Sequence, residues 1–346
     1  MCGLGGFINR DGKKVDGRAI TIMGCMMEAR YDERGGGYAA YGIYPDHAEQ
    51  YAFHLLFDDE EAKEATEEYL AHRVNIVKDE RIPTSPVKEI PQAHIPWRYF
   101  LDVPEDRADG EEDYIVETVM HINACIDGAY VISSGRNMGV FKATGLPRHV
   151  AELFRIHEYK GYMWTVHGRF PTNTQGWWGG AHPFNILDWS VVHNGEISSY
   201  GTNRRYLEMH GYQCRLQTDT EVVAYLFDLL VRKHGLSEEV ASTVLTPPFW
   251  KHIDRSPDRE YYEALRITYA PAMLNGPFGI IVNNRNTMIA LNDRIKLRPL
   301  VAAEAGDTVY VASEEAAIRE IAPELERVWA PRAGSPVIAR LKEGVA

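Results

Sequence analysis

Met1-Cys2-Gly3-Leu4-Gly5-Gly6-Phe7 opens the chain, and the meaning of Cys2 decides the fold. Removal of Met1 leaves a thiol and a free α-amine on the same residue. An α-amine titrates at roughly 7.7–8.0, so it can take the proton from a thiol near neutrality and make it a nucleophile. Elsewhere in a chain a cysteine needs a separate histidine for that task. Initiator methionine is trimmed when residue 2 is small, as Cys2 is. Residues 3–9 read as a short strand, so the cysteine stands at a strand end. Taken alone, the same residue reads more readily as an accident of a frayed terminus. The rest of the chain decides between the two.

Composition excludes several classes. With 346 residues the chain can bury a full core as one large domain or two smaller ones. Its 45% hydrophobic and 25% charged content are ordinary for a globular protein. A net charge of −12 without a basic run argues against nucleic acid and anionic membrane as partners. No apolar stretch approaches the roughly 20 residues that cross a bilayer. The start lacks the basic and long apolar regions of a secretion signal, and Cys2 in place of glycine excludes N-myristoylation. The expected location is the cytoplasm. Four scattered cysteines, Cys2, Cys25, Cys125 and Cys214, form no C-x-x-C pair, so neither a disulfide framework nor a zinc site is expected.

Hydrophobic periodicity predicts a helix from about 17 to 31, with Ile20, Met23 and Met27 on one face. Strands follow near 38–44 and 51–57, then a helix over 58–73 with acids at its start. Five prolines and an acidic run between about 78 and 113 predict an excursion from the core of a single domain spanning 1–346. Strands near 128–133 and 138–142 precede a helix at 148–158. Strand-like 162–166 runs into His167-Gly168-Arg169-Phe170-Pro171-Thr172-Asn173-Thr174. A second strand, 189–192, runs into a turn at His193-Asn194-Gly195-Glu196. Thr218-Asp219-Thr220-Glu221 has the spacing of a capping box at a helix start, and Gly235 suits its end. Strands near 278–283, 287–291 and 308–312 lead to a helix capped by Ser313.

Amide hydrolysis needs a nucleophile, a base, an oxyanion hole and a substrate clamp. Cys2 and its amine supply the first two. Asn194 and Gly195 offer a side-chain and a backbone N–H to a developing oxyanion. Arg169 can hold a carboxylate bidentately, and Asp219 can hold an ammonium, which together would read an α-amino acid. Each has a plainer reading. Asn-Gly is the commonest hairpin pair, and Asp219 suits a helix dipole. His167, His182 and His193 show no metal-ligand spacing, and Gly35-Gly36-Gly37 lacks the Lys-Ser/Thr of a P-loop.

In order along the chain, these pieces resemble the class II glutamine amidotransferases. The phrases that carry the resemblance are Arg169-Phe170-Pro171-Thr172-Asn173-Thr174, Ala181-His182-Pro183-Phe184, His193-Asn194-Gly195-Glu196-Ile197 and Asp293-Arg294-Ile295-Lys296-Leu297-Arg298-Pro299-Leu300. Within that family the chain looks most like the stand-alone glutaminase domain or subunit of glutamate synthase. The resemblance implies an α+β fold, a four-layer αββα Ntn-hydrolase sandwich of two mostly antiparallel sheets. It implies Cys2 as nucleophile, Asn194 and Gly195 as oxyanion hole, and Arg169, Thr172, His182, Asp219 and Arg34 around the substrate, L-glutamine. The Gly-Gly-Gly-Tyr after Arg34 departs from the commoner family sequences. No metal or cofactor is implied for this chain. Flavin and iron–sulfur centres would sit on a separate synthase subunit that receives the ammonia. The glutaminase subunit of N-methylglutamate synthase and a catalytically silent glutamine-sensing subunit remain open alternatives.

Overall fold

The Gly3–Asn9 strand sends its side chains alternately into two cores. Leu4 and Ile8 enter one, Phe7 the other, as the two-residue period of a strand requires. The structure, a computed structural model, describes residues 1–90, 94–170 and 177–345. The first strand lies inside a seven-stranded sheet, antiparallel to Met163–Gly168 on one side and Thr308–Ala312 on the other. Gly36–Tyr41 and Met138–Ala143 continue that sheet beyond Met163–Gly168.

Helices Arg18–Cys25, Pro147–Leu153 and Glu315–Ile321 cover one face of this sheet, adding Ile20, Met23, Val150 and Ile318 to the core around Phe7. On the other face lies a five-stranded sheet of Phe184–Ile186, Trp189–Gly195, Phe278–Asn283, Thr287–Asn292 and Val337–Arg340. Its Val192, Ile281 and Ala290 meet Leu4, Ile8 and Val140 between the sheets. Each fully buried Leu or Ile there contributes roughly 1.5–3 kcal/mol. The alternate residues Val191, Ile280 and Leu291 join Val222 and Leu226 of the Asp219–Phe227 helix in the outer core. Helix, sheet, sheet and helix make the expected sandwich, and every strand pairing among the described residues is antiparallel.

Several elements differ from the sequence reading. The segment 78–113 does not simply leave the core. Ile95–Asp102 is an inner strand of a four-stranded sheet, pairing with Tyr51–Phe57 and Asn75–Arg81. Its Tyr99, Phe100 and Leu101 are fully buried. The prolines fall around that strand or at its start, as with Pro96, where a missing N–H is tolerated. The acidic run at Glu111-Glu112-Asp113 is the first turn of the helix Glu111–Cys125, where it suits the helix dipole. The first helix stops at Cys25, and a 3₁₀ turn covers Glu28–Arg30. The Tyr31 hydroxyl folds back onto the Gly24 carbonyl at 2.6 Å, which closes the chain where a longer helix was expected.

Candidate active site

Strand register places the cysteine. Gly3 pairs with Gly168, so Cys2 falls one step past the ladder, beside Arg169 and Phe170. The Phe170 amide donates to Cys2 Sγ at 3.3 Å. Two residues along, the Leu4 N–H donates to Ser313 Oγ at 3.2 Å and the Ser313 N–H to the Leu4 carbonyl at 2.8 Å. Ser313 therefore pins the first strand. It does not cap the following helix, whose N-cap is Glu314 without a side-chain bond. Arg30 donates from Nε to the Cys2 carbonyl at 3.3 Å and pairs with Glu314 at 2.9 Å. Beneath these groups lies the Tyr31 ring. A Cβ on Gly168 would lie 2.2 Å from its Cδ1, which is why glycine ends this strand. Burial pushes the Cys2 thiol above its ordinary value, opposed by the Phe170 amide, the Met1 ammonium, Arg169 and Arg298. With Met1 in place the Cys2 nitrogen is an amide and cannot accept a proton.

Asn194 and Gly195 are not a hairpin turn. They are the last two residues of the strand Trp189–Gly195, paired with Gly279 and Phe278. Gly195 has φ +141°, and a Cβ there would lie 1.9 Å from the Pro277 carbonyl oxygen. Only glycine fits that position. Asn194 is 1% exposed, and among the described residues its Nδ2 has no hydrogen-bond partner. A buried, unmatched donor costs about 1–3 kcal/mol, and the residue itself lies at the wall of the cleft.

Arg169 follows the Met163–Gly168 strand and is largely buried. Its guanidinium lies flat on the backbone at Gly180, where a Cβ would sit 2.5 Å from Nη1 and 2.8 Å from Cζ. Its amide donates to the Gly35 carbonyl at 2.8 Å. Burial lowers its pKa, against the opposing pull of Cys2, Asp219 and Asp32. Arg34, next to Gly35, is turned away: it is 58% exposed, pairs with Asp32 at 3.4 Å, and does not line the cleft. Thr172 lies outside the described residues.

Asp219 opens the Asp219–Phe227 helix behind the N-cap Thr218, whose hydroxyl accepts from Glu221 N at 3.2 Å. The box is only half made. The Glu221 carboxylate takes the amides of Arg215 and Leu216 and the Tyr225 hydroxyl instead of returning to Thr218. Asp219 Oδ2 accepts from Ile197 N at 2.9 Å, and Oδ1 accepts from the Thr220 hydroxyl at 3.2 Å. Burial raises this carboxyl, but His193, the Ile197 amide and Thr220 outweigh it and hold the group below its ordinary value. Asp219 is thus a poised anion with one edge to the cleft.

Three imidazoles lie side by side here, of which His182 and His193 line the cleft. His167 and His182 stack at 4.0 Å, and His182 lies parallel to His193 at 6.3 Å. His182 Nδ1 accepts from His193 N at 3.1 Å, and its Nε2 meets Thr220 Oγ1 at 3.3 Å. Burial drives His167 down to about 3 and His182 well below its ordinary value, so both are neutral. A neutral His182 that accepts at Nδ1 donates from Nε2 to Thr220; His193 Nδ1 meets the same hydroxyl at 3.1 Å, and the threonine donates to Asp219 Oδ1. His182 borders the cleft, and through this relay it also orients the aspartate. Among the described residues no cluster of three or more His, Cys, Asp or Glu is placed to hold a metal ion.

Cys2, Arg169, His182, Asn194, Gly195 and Asp219 therefore share one cleft of about 380 Å³, within the size range of small-molecule sites. Sequence reasoning missed Tyr200 and Arg298, which line it, and Arg30 and Thr220, which bond Cys2 and Asp219 from behind. Thr220 and Arg298 lay inside quoted motifs. Arg30 had no signal beyond its distance from Cys2, because its contact spans 28 residues.

The fold and cleft define an Ntn-type sandwich with a cysteine at the end of its first strand. The family model described as "Glutamine amidotransferases class-II" matches residues 46–329, and the chain belongs to that family. The matched span begins after Cys2 and Arg34. The chain is 51% identical to an "Uncharacterized protein" of Archaeoglobus fulgidus, over 99% of this chain and 92% of that one. It is 27% identical to a "Putative glutamine amidotransferase" of Methanothermobacter thermautotrophicus, over 93% and 94%. A solved glutamine phosphoribosylpyrophosphate amidotransferase from B. subtilis aligns with 99% of this chain and 50% of its own at 16% identity and TM-score 0.47. No described helix is long and apolar enough to cross a membrane.

Proposed function

We propose that this chain is a glutaminase: it hydrolyses L-glutamine to glutamate and ammonia through a thioester on Cys2. The observation that carries the reading is the single cleft lined by Cys2, Arg169, Asn194, Gly195 and Asp219. Loss of Met1 frees the Cys2 amine, which accepts the thiol proton as sulfur attacks the side-chain carbonyl of glutamine. Asn194 Nδ2 and the Gly195 N–H stabilise the oxyanion. The amine returns its proton to the departing nitrogen, ammonia leaves, and water cleaves the thioester. Arg169 holds the substrate carboxylate and Asp219 its ammonium, with His182 lining the pocket and Thr172 assigned to the substrate by the family resemblance alone. His182 also orients Asp219 through Thr220. Arg34 acts through the loop whose Gly35 carbonyl anchors Arg169.

The whole span 1–346 works as one amidotransferase domain in this reading. The acceptor chemistry belongs to a separate synthase subunit with its own flavin and iron–sulfur centres. Glutamate synthase is the complex favoured by the four sequence phrases quoted above. The test is glutamate release from glutamine by Met1-free protein, beside Cys2→Ala and protein that retains Met1. Release by the Met1-free form alone supports the reading. No release from Met1-free protein, with or without a co-purifying partner, overturns it.

A further inference from the structure

Lys142 stands where the strand pattern calls for an apolar residue. In Met138–Ala143 the two-residue period puts it on the same face as Met138 and Val140, which fill the core between the sheets. It is 1% exposed. Burying an ammonium is costly without compensation, and among the described residues no carboxylate pairs with it. Its Nζ donates to the Ala181 carbonyl at 3.0 Å and lies 4.3 Å from the centre of the Phe184 ring.

The carbonyl it holds belongs to the segment on which the cleft is built. Gly180, one residue before, is the surface under the Arg169 guanidinium. His182, one residue after, bonds the His193 amide and Thr220, the partner of Asp219. Gly37, paired with Lys142 across the sheet, has room only for hydrogen, since a Cβ would lie 2.2 Å from the His182 carbonyl oxygen. The segment is therefore pressed close against this strand, and Lys142 is the side chain that fastens it there. We propose that Lys142 is a positioning residue for glutamine recognition, holding Gly180–His182 so that Arg169 and Asp219 keep their spacing across the cleft. The inference rests on the reading of those two residues as the substrate clamp. Burial brings the lysine down to about 7, with Glu221 supporting its charge and Arg169 opposing it.

The test compares Met1-free wild type with Lys142→Met and Lys142→Gln in glutamine hydrolysis and in inhibition by L-glutamate, which carries the same α-carboxylate and α-ammonium. Lys142→Met keeps the length of the side chain and removes the donor. Its KM for glutamine should rise about tenfold with kcat within about twofold, and the glutamate inhibition constant should weaken by the same factor. Lys142→Gln retains a neutral donor and should show a smaller rise of about threefold in both constants. If the methionine variant does not fold, the glutamine variant decides on the same two readouts. Unchanged KM and inhibition constant in a folded variant, or a fall in kcat at constant KM, overturns the proposal. An inactive wild type would instead remove the glutaminase reading itself.

Discussion

Asn194→Leu should separate activity from stability in opposite directions. The side chain is fully buried at the end of the Trp189–Gly195 strand, and among the described residues its Nδ2 has no hydrogen-bond partner. Leucine has similar volume, so the substitution removes an unmatched donor without opening a cavity. An unsatisfied buried amide costs about 1–3 kcal/mol, and part of that is recovered in the variant. Its stability should match wild type or exceed it by up to about 1 kcal/mol. In the proposed reaction the Asn194 amide donates to the oxyanion, and loss of one such donor costs about 3–4 kcal/mol, or about 10²–10³-fold in kcat. Urea midpoints and steady-state glutamate release measure the two quantities on one preparation. A variant with kcat within tenfold of wild type, or one destabilised by several kcal/mol, would refute the assignment.

Gly195→Ala should fail for a steric reason: the new Cβ lies 1.9 Å from the Pro277 oxygen at φ +141°. It should lower stability by about 2–4 kcal/mol in denaturant titration, as the Glu196 N–Pro277 O bond is displaced. Arg169→Gln removes a bidentate charged contact and should raise KM about 10²-fold with kcat within about fivefold; the reverse split would exchange the roles given to Arg169 and Asn194. Burial raises Glu221 from 4.5 to about 7, so the folded state holds this proton longer than the unfolded chain. The stability it contributes is fully present below pH 4.5 and is lost as pH rises through about 7. Relative to Glu221→Gln, wild type should therefore lose about 2–3 kcal/mol between pH 5 and pH 8; a flat difference would remove the buried-acid account.

The layers of the fold were legible through the family resemblance, and the structure gives their physical basis: Leu4 and Ile8 enter one core and Phe7 the other across the first strand. The order of the cleft residues was legible because each lies in a short local phrase. What the local phrase could not contain was the partner across space. Asn194-Gly195 carries the local signal of a hairpin turn, and only pairing with Gly279 and Phe278, more than eighty residues away, makes it a strand end. Ser313 looks like a helix cap until its hydroxyl is seen to bind Leu4, 309 residues away in sequence. Ile95–Asp102 was masked by neighbouring prolines, although its Tyr99, Phe100 and Leu101 are core residues. Arg34 and Gly35 are adjacent, yet only Gly35 meets Arg169, through its backbone.

The central claim is that Cys2 is the nucleophile and that its own freed amine is the base. Rapid acid quench of Met1-free protein during glutamine turnover, followed by peptide mass analysis, tests it most directly. The account predicts a γ-glutamyl adduct on Cys2 in that form, and none in protein that retains Met1 at the same pH. An adduct on another residue, or equal acylation of Cys2 with Met1 still attached, would contradict it.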